Sequence, residues 1–164
     1  MTIRKAVCED KEEILGIFAI AREYMRSTGN HEQWSGNYPG EEIIDEDIKN
    51  GCSYVCEDEG EIIAVFYFNI GDDPTYKVIY EGEWKNALPY AVIHRIAVKY
   101  QGRGLVKTCF DYCFGQYNNL KIDTHKDNIP MQKALVKNGF EYCGIIHLKN
   151  GDERLAYQKS GKQA

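Results

Sequence analysis

Ala91-Val-Ile-His-Arg-Ile-Ala-Val98, followed at once by Lys99-Tyr-Gln-Gly-Arg-Gly-Leu-Val-Lys107, carries the first readable strand and the turn that leaves it. The segment 91–98 is β-branched and apolar enough for a buried strand. Gly102 and Gly104 mark a short turn, and beyond it the apolar period changes. Leu105, Val106, Cys109, Phe110, Cys113, Phe114 and Tyr117 recur at helical steps, one face of an amphipathic helix. A strand, a glycine turn and a helix in succession leave the first helical amides unpaired and facing the turn. Glycines there let a ligand approach the backbone, and the positive end of the helix dipole favours an anion. The stretch reads as a phosphate cradle; the plainer alternative is an ordinary strand-to-helix turn.

Spacing narrows the choice of cradle. A P-loop follows G-x-x-x-x-G-K-[ST], which is absent, and a dinucleotide fingerprint needs a third glycine where Lys107 stands. Gln101, Gly102, Arg103, Gly104 and Leu105 instead match Gln/Arg-x-x-Gly-x-Gly/Ala, with Val106 in place of the final small residue. This resembles the pyrophosphate loop of the GNAT superfamily of N-acetyltransferases, and the preceding Ile-Ala-Val resembles that family's fourth strand.

The sequence has 164 residues and a mass of 18.8 kDa, with 43% hydrophobic and 27% charged residues. That size predicts one domain over 1–164. A net charge of -5 and a pI near 5.4 argue against general affinity for nucleic acid or anionic membrane. No apolar run is long enough for a bilayer, and Met-Thr-Ile-Arg-Lys-Ala lacks a signal-peptide core. Cys8, Cys52, Cys56, Cys109, Cys113 and Cys143 show no zinc spacing with histidine. They read as reduced thiols of a cytoplasmic protein, without a metal.

Along the chain, 2–7 reads as a strand, and Asp10 with Glu13 as a capping box opening a helix that ends at Thr28-Gly-Asn30. Residues 31–40 read as a polar, aromatic loop and 41–49 as a short acidic helix. Strands follow at 53–56 and 62–69, and 76–80 reads as another extended piece. The loop Glu81-Gly-Glu-Trp-Lys-Asn-Ala-Leu-Pro89, rich in carboxylates and aromatics, is a candidate wall for a substrate pocket; Glu83 and Trp84 are its candidate contacts. A strand at 120–124, a helix opened by Asp127 or Asn128, and a strand pair at 141–146 and 155–158 complete the chain.

Asn128-Ile-Pro-Met131, then Lys137-Asn-Gly-Phe140, resembles the second GNAT motif, an Asn that opens a helix closed by Lys-x-Gly-Phe. Two motifs in order are far more specific than one, and the chain is identified as resembling a GNAT-type, acetyl-CoA-dependent N-acetyltransferase. The resemblance implies a mixed, mostly antiparallel central sheet, splayed at the fourth strand and flanked by helices, an α/β (α+β) class. It implies acetyl-CoA as cosubstrate, with its pyrophosphate on Gln101, Gly102, Arg103, Gly104, Leu105, Val106 and Lys107. The pantetheine arm would lie along Ile96, Ala97 and Val98 beside Asn128 and Met131, like an added strand. The acceptor would be a primary amine of a small molecule or peptide. Self-association as a homodimer stays open, and so does an acyl-CoA-binding regulatory module without catalysis.

The implied chemistry needs a deprotonated amine. His94 is the candidate base, on a strand face shared with Val92, Ile96 and Val98, with a core histidine as the alternative. Glu81, Glu83 and Asp123 are weaker candidates. The tyrosine that often serves the family as general acid falls at Leu135, which donates no proton, leaving Tyr117 or Tyr142 as other possible donors.

Overall fold

The computed structural model describes residues 1–161. In chain order come β1 (Thr2–Lys5), α1 (Lys11–Ser27), α2 (Glu41–Lys49), β2 (Ser53–Asp58), β3 (Glu61–Ile70), β4 (Ala91–Val98), α3 (Leu105–Gln116), β5 (Asn119–Thr124), α4 (Ile129–Lys137), β6 (Glu141–His147) and β7 (Glu153–Ser160). All seven strands form one sheet in the order β1-β2-β3-β4-β5-β7-β6. Only β4 and β5 run parallel; the other pairs are antiparallel. This is the mixed, mostly antiparallel sheet that the family resemblance implies.

Each face of the sheet carries its own layer. Ala64, Phe66, Phe68, Ile93 and Ile122 pack under α3 through Leu105, Cys109, Phe110 and Cys113, with Leu135 of α4 in the same core. On the opposite face, α1 buries Ile14, Ile17, Phe18 and Ala21 against Val55, Val65 and Ala97, with Ile44 of α2. Trp34 joins that core at 7% exposure, edge-on to Phe18, so the 31–40 loop is anchored to the core through this residue. No helix among the described residues is long and apolar enough to cross a membrane.

Local differences from the sequence reading have simple causes. Asp10 makes no side-chain cap for α1. Its carboxylate accepts from the Val7 amide and pairs with Arg4 at 2.8 and 3.0 Å. Glu13 is likewise drawn away, accepting from the Ile62 amide at 3.2 Å. Both carboxylates are engaged elsewhere, so the expected Asp10–Glu13 capping box does not form. The expected strand at 76–80 is a 3-10 turn, Pro74–Tyr76, and a single bridge between Tyr80 and Ile145. Pro74 sets the turn's first φ, and Asp73 caps it by accepting from the Thr75 amide.

Two features of β4 open the sheet. Its pairing with β5 covers only Ala91 with Leu120 and Val92 with Lys121. Beyond Val92 the two strands diverge, and the β5-facing edge of β4 has no strand partner among the described residues. The second feature is a bulge. Tyr67 of β3 pairs with His94 and Val65 with Ala97, and Arg95 takes φ of 47° between them. The extra residue reverses the inside-outside alternation. Ala91 and Ile93 face the α3 core before it; Ile96 and Val98 do so after it. His94 therefore does not share a face with Ile96 and Val98, as strict alternation requires. It lies with Val92 on the other face.

Candidate active site

At the end of β4 the chain turns through Gly102 and Gly104, whose φ values of 76° and 68° suit glycine. A Cβ added at either would meet nothing within 4 Å, so the outer side of the turn is open. Helix α3 then starts without a side-chain cap. Its ladder begins with Thr108 N–H on the Gly104 carbonyl at 3.0 Å, so the amides of Leu105, Val106 and Lys107 have no backbone partner among the described residues. The open turn, free amides and uncapped helix start fit the diphosphate of a coenzyme A molecule. The side chains contribute less than the motif suggests. Leu105 is buried in the core, Lys107 pairs with Asp111, and Arg103 stacks on Tyr100 at 4.1 Å.

From this turn a narrow channel of about 120 Å³ runs inward between the free edge of β4 and α4. Ile96, Ala97, Val98, Gln101, Val106, Asn128 and Met131, all expected at the cofactor, line it together with Tyr24 of α1. Asn128 caps α4 by accepting from the Met131 amide at 3.1 Å and donates to Gln33 at 2.9 Å. Capping orients this asparagine, and the channel uses the side that remains.

The channel shares Met25, Ile96, Asn128 and Met131 with a cavity of about 750 Å³. Its floor is the divergence of β4 from β5, and the 31–40 loop forms one wall through Gln33, Trp34 and Tyr38. His94 sits on the floor with its Nε2 2.7 Å from Asp73 Oδ2 and its Nδ1 3.9 Å from Asp123 Oδ2. Burial works to raise the Asp73 carboxyl, but hydrogen bonds from His94 and Thr75 outweigh it and hold it at about 2. Asp73 is thus ionised near neutrality, and Nε2 must be the protonated donor. The neutral tautomer then leaves the Nδ1 lone pair toward Asp123. That carboxylate accepts from the Tyr76 hydroxyl at 2.7 Å. Burial first, and then Asp123, push this phenol well above its usual range, so it stays a donor.

Arg95, at the bulge, lines the same cavity but is spent on Asp47, with two bonds of 2.9 and 2.8 Å. Arg154 of β7 also lines it, at 8% exposure. Thr124, fully buried at the same wall, has a hydroxyl without a hydrogen-bond partner among the described residues. No group of His, Cys, Asp and Glu among the described residues is arranged to hold a metal ion.

Three expectations fall elsewhere. Glu81 and Glu83 are exposed, and the loop around Trp84 walls neither cavity. Instead the Lys85 amide donates to Gln158 and Asn86 to Ser160, which fastens the loop to β7. Trp84 donates to the Tyr76 carbonyl and, with Tyr90, covers the buried Lys121 ammonium at 4.1 and 3.9 Å. Leu135 is fully buried in the α3 core and reaches neither cavity, so a donor at that side chain would face the core. Tyr117 and Tyr142 line neither cavity. Asp73, Tyr76, Gln33 and Arg154 went unread. Asp73 is visible in sequence only as part of a chain-breaking Asp-Asp-Pro, and Arg154 only as a charge in phase with Ala156 and Gln158 on a strand.

A model of the acetyltransferase (GNAT) family matches residues 9–140. The chain is 25% identical over 148 residues to the uncharacterized N-acetyltransferase YesJ of Bacillus subtilis (strain 168), covering 85% of this chain and 81% of that protein. It superposes on the crystal structure of a GNAT family acetyltransferase from Streptococcus agalactiae 2603 with a TM-score of 0.90 and 33% identity, over 99% of this chain and 96% of the other. A GNAT family acetyltransferase from Listeria monocytogenes 4b F2365 shares the fold, with a TM-score of 0.69, 20% identity, and coverage of 96% and 93%.

Proposed function

The chain belongs to the acetyltransferase (GNAT) family, and on that basis we propose that residues 1–164 act as one unit carrying an acetyl group from acetyl-CoA to a primary amine of a small molecule or peptide. The observation that carries the reading is the continuity of open glycine turn, narrow channel and wide cavity, with His94 on the cavity floor. The amides of Leu105, Val106 and Lys107, with Gly102 and Gly104, would hold the diphosphate. Gln101 and Val106 line the way in, and the free edge of Ile96, Ala97 and Val98, beside Asn128 and Met131, would hold the pantetheine arm as an added strand. Acetyl-CoA, when bound, supplies an acetyl group already activated as a thioester.

The rest is work for this chain's side chains. An amine in the wide cavity meets two ionised or polar acceptors, Asp123 and His94 Nδ1, which attract it and fix its direction. As its nitrogen bonds to the acetyl carbon, the C–S bond breaks and its electron pair leaves on sulfur. The amine's proton passes to His94 Nδ1, and Asp73 stabilises the imidazolium through Nε2–H. A thiolate is a tolerable leaving group without an acid, so Leu135 is no obstacle. All six cysteines are free thiols, which suits a reducing, cytoplasmic setting.

Two measurements test this. Acetyl-CoA should raise the melting temperature, by about 2.7 kcal/mol of stabilisation at a hundredfold excess over Kd. In Gly104→Glu, which puts a carboxylate and a strained φ at the turn, the shift should vanish; an unchanged shift overturns the loop assignment. Thiol release with a panel of primary amines should then reveal turnover.

A further inference from the structure

Two arginines line the wide cavity, and they differ in one respect. Arg95 is neutralised by both oxygens of Asp47. Arg154, 8% exposed, has one hydrogen bond, from Nη1 to the carbonyl of its own neighbour Glu153 at 2.9 Å, and no carboxylate partner among the described residues. A guanidinium carries five N–H donors in a planar fork, and a buried charge without a counter-ion is costly. The charge is felt locally: burial first, and then Arg154, push the His125 imidazole below its usual range.

Sheet register says what Arg154 faces. Asp123 pairs with Ala156, and Arg154, two residues before Ala156, lies on the same sheet face. That diagonal spacing is roughly 7–8 Å between backbones, so both side chains lean over one space. The cavity therefore has a negative pole, Asp73 and Asp123 around His94, and a positive pole at Arg154. Its other charged groups, the carboxylates Glu32 and Asp152 and the ammonium of Lys149, are on the exposed rim.

We propose that Arg154 receives a carboxylate carried by the acetyl acceptor, so that the acceptor is an amino acid whose carboxylate is held by Arg154 while its free amino group faces the His94–Asp123 pair. This rests on the acetyl-transfer reading above. The planar fork matches a carboxylate in a bidentate pair. A phosphate dianion fits worse, because Arg154 is, among the described residues, the one inner cation free to offset it against two inner carboxylates, Lys149 lying on the exposed rim.

The experiment uses matched acceptors: tyrosine with tyramine, and glycine, β-alanine and γ-aminobutyrate to read the spacing between the poles. With the full-length protein, thiol release should favour tyrosine over tyramine. Arg154→Gln should raise the KM for the amino acid about ten- to hundredfold, as expected for a lost charge-assisted bond, and the preference should collapse. Arg154→Lys, which keeps the charge but not the fork, should fall between the two. A wild-type preference for tyramine, or an equal loss on both acceptors in Arg154→Gln, overturns the proposal. Thermal shift in the presence of coenzyme A separates it from the activity it rests on. If no amine is acetylated but amino acids raise the melting temperature and Arg154→Gln abolishes this, the receptor stands and the acetyl-transfer reading falls. If neither turnover nor an Arg154-dependent shift is seen, the receptor falls.

Discussion

Asp73→Asn tests the catalytic reading at its most specific point, the tautomer of His94. Asp73 Oδ2 accepts from His94 Nε2 at 2.7 Å, while Oδ1 accepts from the Thr75 amide at 2.9 Å and its hydroxyl at 2.8 Å. An asparagine keeps one acceptor and gains a donor. The two Thr75 bonds retain the oxygen, so the new NH₂ faces Nε2 and forces that nitrogen to accept. The ring proton moves to Nδ1, and the lone pair facing Asp123 is lost. A general base supplies about a hundred- to ten-thousandfold, so kcat should drop in that range while acetyl-CoA still raises the melting temperature. Stability should fall as well. Held at about 2 against an ordinary 3.8, the Asp73 carboxylate contributes up to about 2.5 kcal/mol at 1.36 kcal/mol per pH unit. Because the folded value is depressed, that contribution is complete above 3.8 and disappears as pH falls to about 2. Urea unfolding should therefore separate wild type from variant at pH 7 and bring them together toward pH 2. Activity within threefold of wild type, in a folded variant, would refute Nδ1 of His94 as the base.

Leu135→Ala should cost about 2–5 kcal/mol in chemical denaturation, since Leu135 is wholly buried. Leu135→Tyr should lose about 1–3 kcal/mol by overpacking without any gain in kcat; a faster, equally stable variant would mean the side chain reaches the site after all. Lys121 is buried at 4% exposure between Trp84 and Tyr90, and burial lowers its ammonium from 10.5 to about 8. Between those values the unfolded chain holds a proton that the folded chain has released, so wild-type stability rises with pH across that window. Lys121→Met should thus stabilise the protein at pH 7 by roughly 1–3 kcal/mol, less as pH rises through it. A destabilised variant at pH 7 would show that the two rings outweigh the burial.

Much of the architecture was legible because it is local. Apolar period and turn chemistry gave the helices and strands, including β4 and α3 around Gly102 and Gly104. Asn128 at the start of α4 and Gly139 after its end were visible as cap residues, and they cap as read. Where the reading failed, a competing partner outside the element was the reason. Asp10 left its helix for Arg4, and the 81–89 loop was fastened to β7 rather than to the cavity. Trp84, expected as a substrate contact, packs over Lys121.

The amino-acid sequence by itself determined the order and type of the main helices and strands, though not of the 76–80 segment, and the residues of the glycine turn, since period, φ preference and capping act within a few residues. Tertiary structure alone decided which side chains share the cavity. One extra residue at Arg95 reversed the facing of β4 and set His94 apart from Ile96 and Val98. The 3-10 turn brought Asp73 onto His94, and strand pairing put Arg154 and Asp123 on one face. Leu135 was turned into the core instead. Such outcomes depend on register between segments far apart in the chain, and a one-residue slip in register changes every partner on a face.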